Sequence, residues 1–303
     1  MNAIRSAVAR FEALPANVRA IVWAVVSTAV FAIVPIGVRM ASESVPTVEI
    51  VCLRGFLACL ILLPFFAVSG FRGIGTRHTG QYLTRSFMQG TGMVMWFWAM
   101  TQIALDQAVA LHFTLPLFAI VLAVFLLKER LTMSRVVATI VGFAGVVIIL
   151  RPGATEVGLP ALAVLGSAAL YAASMIMTKV LTRTDSPAAV ILHQHLWLGL
   201  LTLAPTVYYW QTPDWRGLQG LLIIGVAGTI APYLFTRGLR IADASLVISL
   251  DFLRLPFNAM VGFFLYDEIP DEWAFVGGAV IFGATYYNTM RESRAGRPPA
   301  KGS

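Results

Sequence analysis

Charge is what this sequence has least of. Asp, Glu, Lys and Arg make up only 12% of its 303 residues, about half the share usual in a soluble domain. With 58% hydrophobic residues and a mean hydropathy of +0.79, that scarcity excludes a water-soluble fold and requires a bilayer as solvent. Cysteine is nearly absent. Cys52 and Cys59 stand seven residues apart on one predicted helix, about 10.5 Å of rise, beyond disulfide reach. They read as core residues and say nothing about redox compartment. Acidic residues number 15 against 22 basic ones, a formal net charge of +7. The basic residues lie between apolar runs, so they read as topology determinants rather than as a nucleic-acid surface. No His-Glu-x-x-His, no glycine-rich phosphate loop and no stretch long enough for a soluble catalytic domain occurs. The expectation is a protein that is not an enzyme, holds no cofactor or metal, and has no ATP drive within this chain.

What is present is apolar length. Ten runs lie near 20–40, 46–68, 81–104, 107–127, 133–150, 158–179, 188–209, 217–236, 244–266 and 273–290. Each is close to the roughly 20 residues that a helix needs to cross a bilayer. The fold class expected is therefore all-α integral membrane with ten transmembrane helices. The first run is read as a retained span preceded by a cytoplasmic segment, 1–19, rather than as a signal peptide. Residues 292–303, rich in Arg, Gly and Pro, form a cytoplasmic tail of disordered composition. With both termini cytoplasmic, the inside segments hold 17 Lys and Arg residues, and the outside segments hold only Arg39, Arg151 and Arg216. That asymmetry follows the positive-inside rule.

The chain also repeats itself. Pro46 and Pro64 bracket the second run as Pro187 and Pro205 bracket the seventh, and Phe31 to Arg39 echoes Tyr171 to Lys179. Leu115-Pro116 followed by Glu129 echoes Leu255-Pro256 followed by Glu268, and Asp106 and Asp243 each precede a proline-bearing span. Residues 20–151 and 158–291 are thus expected to be two five-helix units. An odd number of spans inverts the second unit, which places a binding site near the midplane between the halves.

The densest chemistry lies in Ser249-Leu-Asp251-Phe-Leu-Arg254-Leu-Pro256-Phe-Asn258. A charge near the bilayer centre costs on the order of 2.5–3.5 kcal/mol, so two in one span need a reason. Asp251 and Arg254 are three apart and share a helix face. Pro256 removes a backbone donor beside them.

These marks resemble the drug/metabolite transporter superfamily, specifically its EamA-type members, over about residues 20–290. The resemblance rests on Leu115-Pro116 with Leu127-Lys128-Glu129-Arg130-Leu131, and on Leu255-Pro256 with Tyr266-Asp267-Glu268-Ile269. Arg54 in Leu-Arg-Gly-Phe-Leu-Ala and the run Gly142 to Pro152 also match family positions. The resemblance implies an exporter or exchanger of small metabolites with a cavity lined by spans 1, 3, 4, 6, 8 and 9. The YddG-like branch of bacterial amino-acid exporters is its most similar branch, although Asp251 and Arg254 depart from many members.

Arg254 can bind a carboxylate or phosphate through parallel hydrogen bonds, or act as a strut paired with Asp251. Asp251 can bind an ammonium, making the pair a receptor for a zwitterion, or carry a coupling proton. His112 can titrate and gate, or sit hydrogen-bonded in the core. Trp96 can stack on an aromatic or cationic substrate. Tyr171 and Tyr233 are phenols inside spans, which a cavity would satisfy, and Phe31 is the counterpart of Tyr171. Pro35, Pro116 and Pro256 are candidate hinges. Arg54 reads as scaffold, with His195 as its repeat counterpart. His193 and His195 point to opposite faces of a helix and cannot share a metal.

The function expected is export of small metabolites, amino acids first, by alternating access in the inner membrane of the cell. Export of drugs or organic cations, or exchange of phosphorylated metabolites, are the alternatives, and an intramembrane enzyme is the reading from another class. The partners expected are the small-molecule substrate and the lipid bilayer, with no nucleic acid and a monomeric or homodimeric state.

Overall fold

The computed structural model describes residues 14–68, 75–127, 132–151, 158–181, 184–185, 187–239, 241, 250 and 253–295. Asp251, Glu129 and Asp243 lie outside the described residues. Among the described residues every regular element is an α-helix. Hydrocarbon leaves the backbone no other partner than itself, and a helix satisfies all of it within one segment. In chain order the helices are α1 (Ala16–Phe31), α2 (Val34–Ser42), α3 (Thr47–Val68), α4 (Thr79–Met100), α5 (Leu105–His112) and α6 (Leu115–Leu127). They continue as α7 (Met133–Leu150), α8 (Leu159–Leu181), α9 (Pro187–Tyr208), α10 (Trp215–Leu239), α11 (Arg254–Tyr266) and α12 (Glu272–Ala295).

Among the described residues seven stretches are long and apolar enough to cross a membrane: Val18–Ser42, Thr47–Pro64, Leu105–Leu122, Met133–Leu150, Leu159–Thr178, Ala189–Tyr208 and Trp215–Phe235. Phe125, Phe264 and Ile140 stand 75%, 72% and 66% exposed on the outside of the bundle, as side chains that meet lipid do. Helix α4 is long but more polar, and it turns Arg85, Ser86 and Gly90 inward instead. The buried Arg85 donates to Thr178 Oγ1 and Gln194 Oε1, both at 2.7 Å. It is an interior residue rather than the loop charge that the count of basic residues made it.

Two expected spans are broken. Residues 32–33 separate α1 from α2, and residues 113–114 separate α5 from α6. At both breaks the chain tightens into three-residue turns, Ile33 N–H to Val30 O at 3.2 Å and Thr114 N–H to Leu111 O at 3.1 Å. Pro35 and Pro116 each occupy the second position of the helix that follows, where a missing N–H is tolerated. Pro256, third in α11, follows the same rule after a Leu253 to Leu250 turn bond of 3.1 Å.

The helices approach closest where glycine faces glycine. A Cβ on Gly37 would lie 2.8 Å from Gly220 O, one on Gly145 2.7 Å from Gly277 O, and one on Gly55 2.9 Å from Gly199 N. These contacts seat α2 on α10, α7 on α12 and α3 on α9. Without a hydrophobic drive between helices in lipid, such close backbone approach supplies the packing. Hydrogen bonds reinforce it: Ser27 Oγ donates to Ala231 O at 2.8 Å, and Ser167 Oγ donates to Gly92 O at 2.7 Å. At one end of the bundle Asp185 Oδ2 accepts from the Thr76 hydroxyl at 2.6 Å and the Tyr82 hydroxyl at 3.0 Å.

Two outcomes follow from this packing. Gly145→Val forces the α7–α12 contact apart and is expected to destabilise the purified protein by about 1–3 kcal/mol, as overpacked sites do. Gly283→Val, with nothing within 4 Å of its Cβ position, is expected to leave the thermal unfolding midpoint unchanged. The Thr76 hydroxyl, with help from Tyr82, Thr184 and His78, holds the Asp185 carboxyl below the usual carboxylate range. Its stabilisation is full above the unfolded pKa of about 3.9 and is lost as pH falls through the lower folded value. Asp185→Asn is expected to lower the melting temperature at neutral pH and to flatten the fall on acidification, read by thermal unfolding across that window.

Candidate functional site

A cavity of about 630 Å³ opens where the broken helices meet, within the range of sites that enclose drug-sized ligands. Phe31 and Pro35 enter it from the α1–α2 break, Trp96 from α4, His112 from α5, Tyr171 from α8, Tyr233 from α10 and Arg254 from α11. Pro116 and Pro256 are not in its wall; each stands in the first turn of a helix beside it. The chain breaks where it does because Pro35 and Pro116 offer no N–H to the carbonyls of Phe31 and His112, four residues back.

The aromatic side chains form a stack. The Trp96 and His112 rings lie 4.3 Å apart with a 32° tilt, and Tyr171 meets His112 edge-on at 5.5 Å. The Arg254 guanidinium lies over the Phe31 ring at 4.4 Å, a cation–π contact that holds the charge flat against the wall. His112 Nε2 is buried with no hydrogen-bond partner among the described residues, and so is Asn258 Oδ1 on the same wall. Asn258 Nδ2 donates to Arg254 O at 2.7 Å, which fixes the amide.

Other residues complete the wall. Arg54 and Leu62 of α3 and Ile191, Gln194 and His195 of α9 line the cavity, adding the second and seventh runs to the six spans expected. Gln89 joins them from α4. Arg54, read as scaffold for loop carbonyls, faces the cavity instead. The signal for these residues was present in the sequence, since polar side chains inside apolar runs turn to a cavity by default. His193 and His195 do diverge: His193 lies against Tyr82 at 4.8 Å, away from the cavity.

Strong charge pairs close one end of the bundle. Arg39 Nη1 meets Glu268 Oε1 at 2.6 Å, and its Nε and Nη2 donate to Met100 O and Ile103 O at 2.9 and 3.1 Å. Glu268 Oε2 accepts the Leu105 N–H at 2.9 Å. Asp106 Oδ2 accepts the Asp271 N–H at 2.7 Å, and Arg151 pairs with Asp271 at 2.6 Å. Two exposed lining residues, Tyr233 at 59% and Ile191 at 46%, stand toward the opposite end.

The EamA-like transporter family matches residues 18–151 and again residues 158–290. The chain belongs to that family. A riboflavin transporter of Vibrio cholerae is 30% identical over 280 residues, covering 91% of this chain and 94% of that protein. A riboflavin transporter of Brucella anthropi is 32% identical over 264 residues, 84% and 91% of the two chains. An S-adenosylmethionine uptake transporter of Rickettsia prowazekii is 25% identical over 284 residues, 94% and 97%. A solved crystal structure shares the fold, with a TM-score of 0.61 at 16% identity over 92% of this chain and 98% of its own. The protein is a multi-pass membrane transporter of small metabolites, located in the inner membrane of the cell. The expectation of amino-acid export finds no support in these relatives.

The charge pairs at the closed end give a measurable coupling. Arg39→Gln and Glu268→Gln are each expected to destabilise the protein, and the double variant by less than their sum. The shortfall is expected at about 0.5–3 kcal/mol for residues in direct contact, read from denaturant unfolding of the four proteins in detergent. Strict additivity would mean that the pair contributes nothing to closing this end.

Proposed function

We propose that the protein takes up a flat, acceptor-rich aromatic metabolite of the riboflavin kind. The observation that carries this reading is the Trp96–His112–Tyr171 stack beside Arg254 and Arg54, in a cavity with no Asp or Glu among its described lining residues. Aromatic faces bind a fused ring system by stacking and dispersion. Guanidinium groups draw carbonyl oxygens or anions and repel cations. Riboflavin transporters among the relatives agree with that chemistry.

S-adenosylmethionine is the second reading, favoured by the Rickettsia relative. Its sulfonium wants a carboxylate, and among the described residues the wall provides two cations instead. A zwitterionic amino acid would need Asp251 opposite Arg254, and Asp251 lies outside the described residues. In this reading Phe31, Trp96, His112, Tyr171 and Tyr233 bind the ring system and Arg254 its polar edge.

Transport follows by alternating access, with Pro35, Pro116 and Pro256 as the points where helices bend. Ten spans in two inverted halves are supported by the way pairings recur when the halves are exchanged. The first span packs on the eighth as the third packs on the sixth, and the second meets the seventh and the fifth the tenth. The Ser27–Ala231 and Ser167–Gly92 bonds are counterparts under the same exchange. With the termini cytoplasmic, the Arg39–Glu268 and Arg151–Asp271 pairs close the extracellular end. The wall's exposed residues then face the cytoplasm, where an imported substrate leaves.

Growth tests this reading. Expressed in a riboflavin-requiring bacterial host without its own carrier, the protein is expected to lower the riboflavin needed for growth. Arg254→Ala and Trp96→Ala are expected to raise that requirement at least about tenfold, the factor that 1.4 kcal/mol of lost binding gives. No gain in growth from wild-type protein present in the membrane would end the riboflavin reading.

A further inference from the structure

We infer that Arg54, Gln89 and Gln194 form a hydrogen-bond donor wall that reads the acceptor edge of the substrate ring. The inference rests on the riboflavin reading and assigns within it the part that sets specificity. Arg54 Nη1 donates to Met93 Sδ at 3.0 Å, a weak thioether acceptor, and Nη2 reaches Gly228 O only at 3.4 Å. A guanidinium fork can satisfy two carbonyl or carboxylate oxygens at once, so this one is poorly used by the protein itself. Its position is built rather than incidental. A Cβ on residue 228 would lie 2.9 Å from Arg54 Nη2 and 3.0 Å from Nε, so the guanidinium fits because residue 228 is glycine.

The neighbouring amides are turned the same way. Arg85 can only donate, so its 2.7 Å bond to Gln194 uses the amide oxygen and leaves the NH₂ group. Gln89 Oε1 accepts from Ser174 Oγ at 3.1 Å, again leaving the NH₂ group. Arg85, Gln89 and Met93 repeat at four-residue spacing along one face of α4, so the three groups are contiguous. The close Gly55–Gly199 approach brings the α9 residues up to Arg54 from the other side. Donors therefore dominate this side of the cavity, and burying them without acceptors is costly.

A ligand that relieves them carries several acceptors on one rigid edge. The pyrimidine side of a flavin ring, with two carbonyl oxygens and two bare ring nitrogens against a single N–H, is such an edge. A ribityl chain, which offers a donor with every acceptor, is a poorer match. Arg54 is thus a binding and specificity residue rather than a scaffold.

Flavin fluorescence, quenched on binding to the purified protein, separates the outcomes. Two probes are compared: riboflavin, and lumiflavin, which keeps the ring and lacks the ribityl chain. Arg54→Ala is expected to raise Kd for both by at least about tenfold, and Arg54→Lys, which keeps the charge but not the fork, by less. Gly228→Ala, which keeps Arg54 but displaces its guanidinium, is expected to act like Arg54→Ala. Should Arg54→Ala not yield monodisperse protein, Arg54→Lys and Gly228→Ala carry the test. Unchanged Kd for both probes would overturn the donor wall while leaving the riboflavin reading standing. Weaker riboflavin binding with unchanged lumiflavin binding would overturn it too, assigning Arg54 to the chain instead of the ring. A wild-type protein that quenches neither probe would sink the riboflavin reading and this inference with it.

Discussion

A backbone in hydrocarbon has only itself to hydrogen-bond with, and the rest of this structure depends on that constraint. It makes every regular element among the described residues a helix. It also dictates where a helix can stop inside the membrane, since a freed carbonyl is tolerable only against protein or a cavity. The breaks at residues 32–33 and 113–114 both fall beside the central cavity. Proline makes the breaks, the cavity makes them tolerable, and the residues just before them, Phe31 and His112, become part of its wall. Helices with and without a break are drawn together by glycine, which lets backbones touch where lipid gives no hydrophobic reason to associate.

Charge follows the same economy of place. Two of the polar regions do different work. At one end, carboxylates and guanidinium groups face each other, with Arg39 and Glu268 also holding backbone groups of the α4–α5 connection. Such pairing closes that end. In the cavity Arg254 lies over the Phe31 ring, and Arg54 stands against a thioether and one distant carbonyl. Saturated pairs hold a structure together; a poorly used fork such as that of Arg54 waits for a molecule. That contrast is the physical basis for placing the substrate in the cavity.

The membrane class and the family were legible because they rest on long-range averages: apolar run length, scarcity of charge, and motifs recurring at a spacing of about 140 residues. Trp96, His112, Tyr171 and Arg254 were legible as site candidates because a polar or large aromatic group inside an apolar run needs an explanation. Arg54 was read as scaffold because a family motif offered a structural role for it, and a motif does not show that the side chain lines a cavity. Gln89 and Gln194 were passed over because an uncharged amide in a span is a weak signal until its partners are known. Only once Arg85 and Ser174 claim the two oxygens does the wall of donors emerge. Arg85 itself was counted as a loop charge, because span ends in a sequence are uncertain by about a helical turn. The substrate class was the least legible feature, since it depends on which side chains converge and not on which are present.

The central claim is that the cavity carries a neutral, acceptor-rich aromatic ring system and not a cation or a small zwitterion. Its most direct measurement is flux into proteoliposomes of the purified protein, with labelled riboflavin, S-adenosylmethionine and an aromatic amino acid compared in one vesicle preparation. The account predicts saturable riboflavin entry, competed by unlabelled flavin, with the other two at the level of empty vesicles. Saturable entry of S-adenosylmethionine or the amino acid without riboflavin would contradict it.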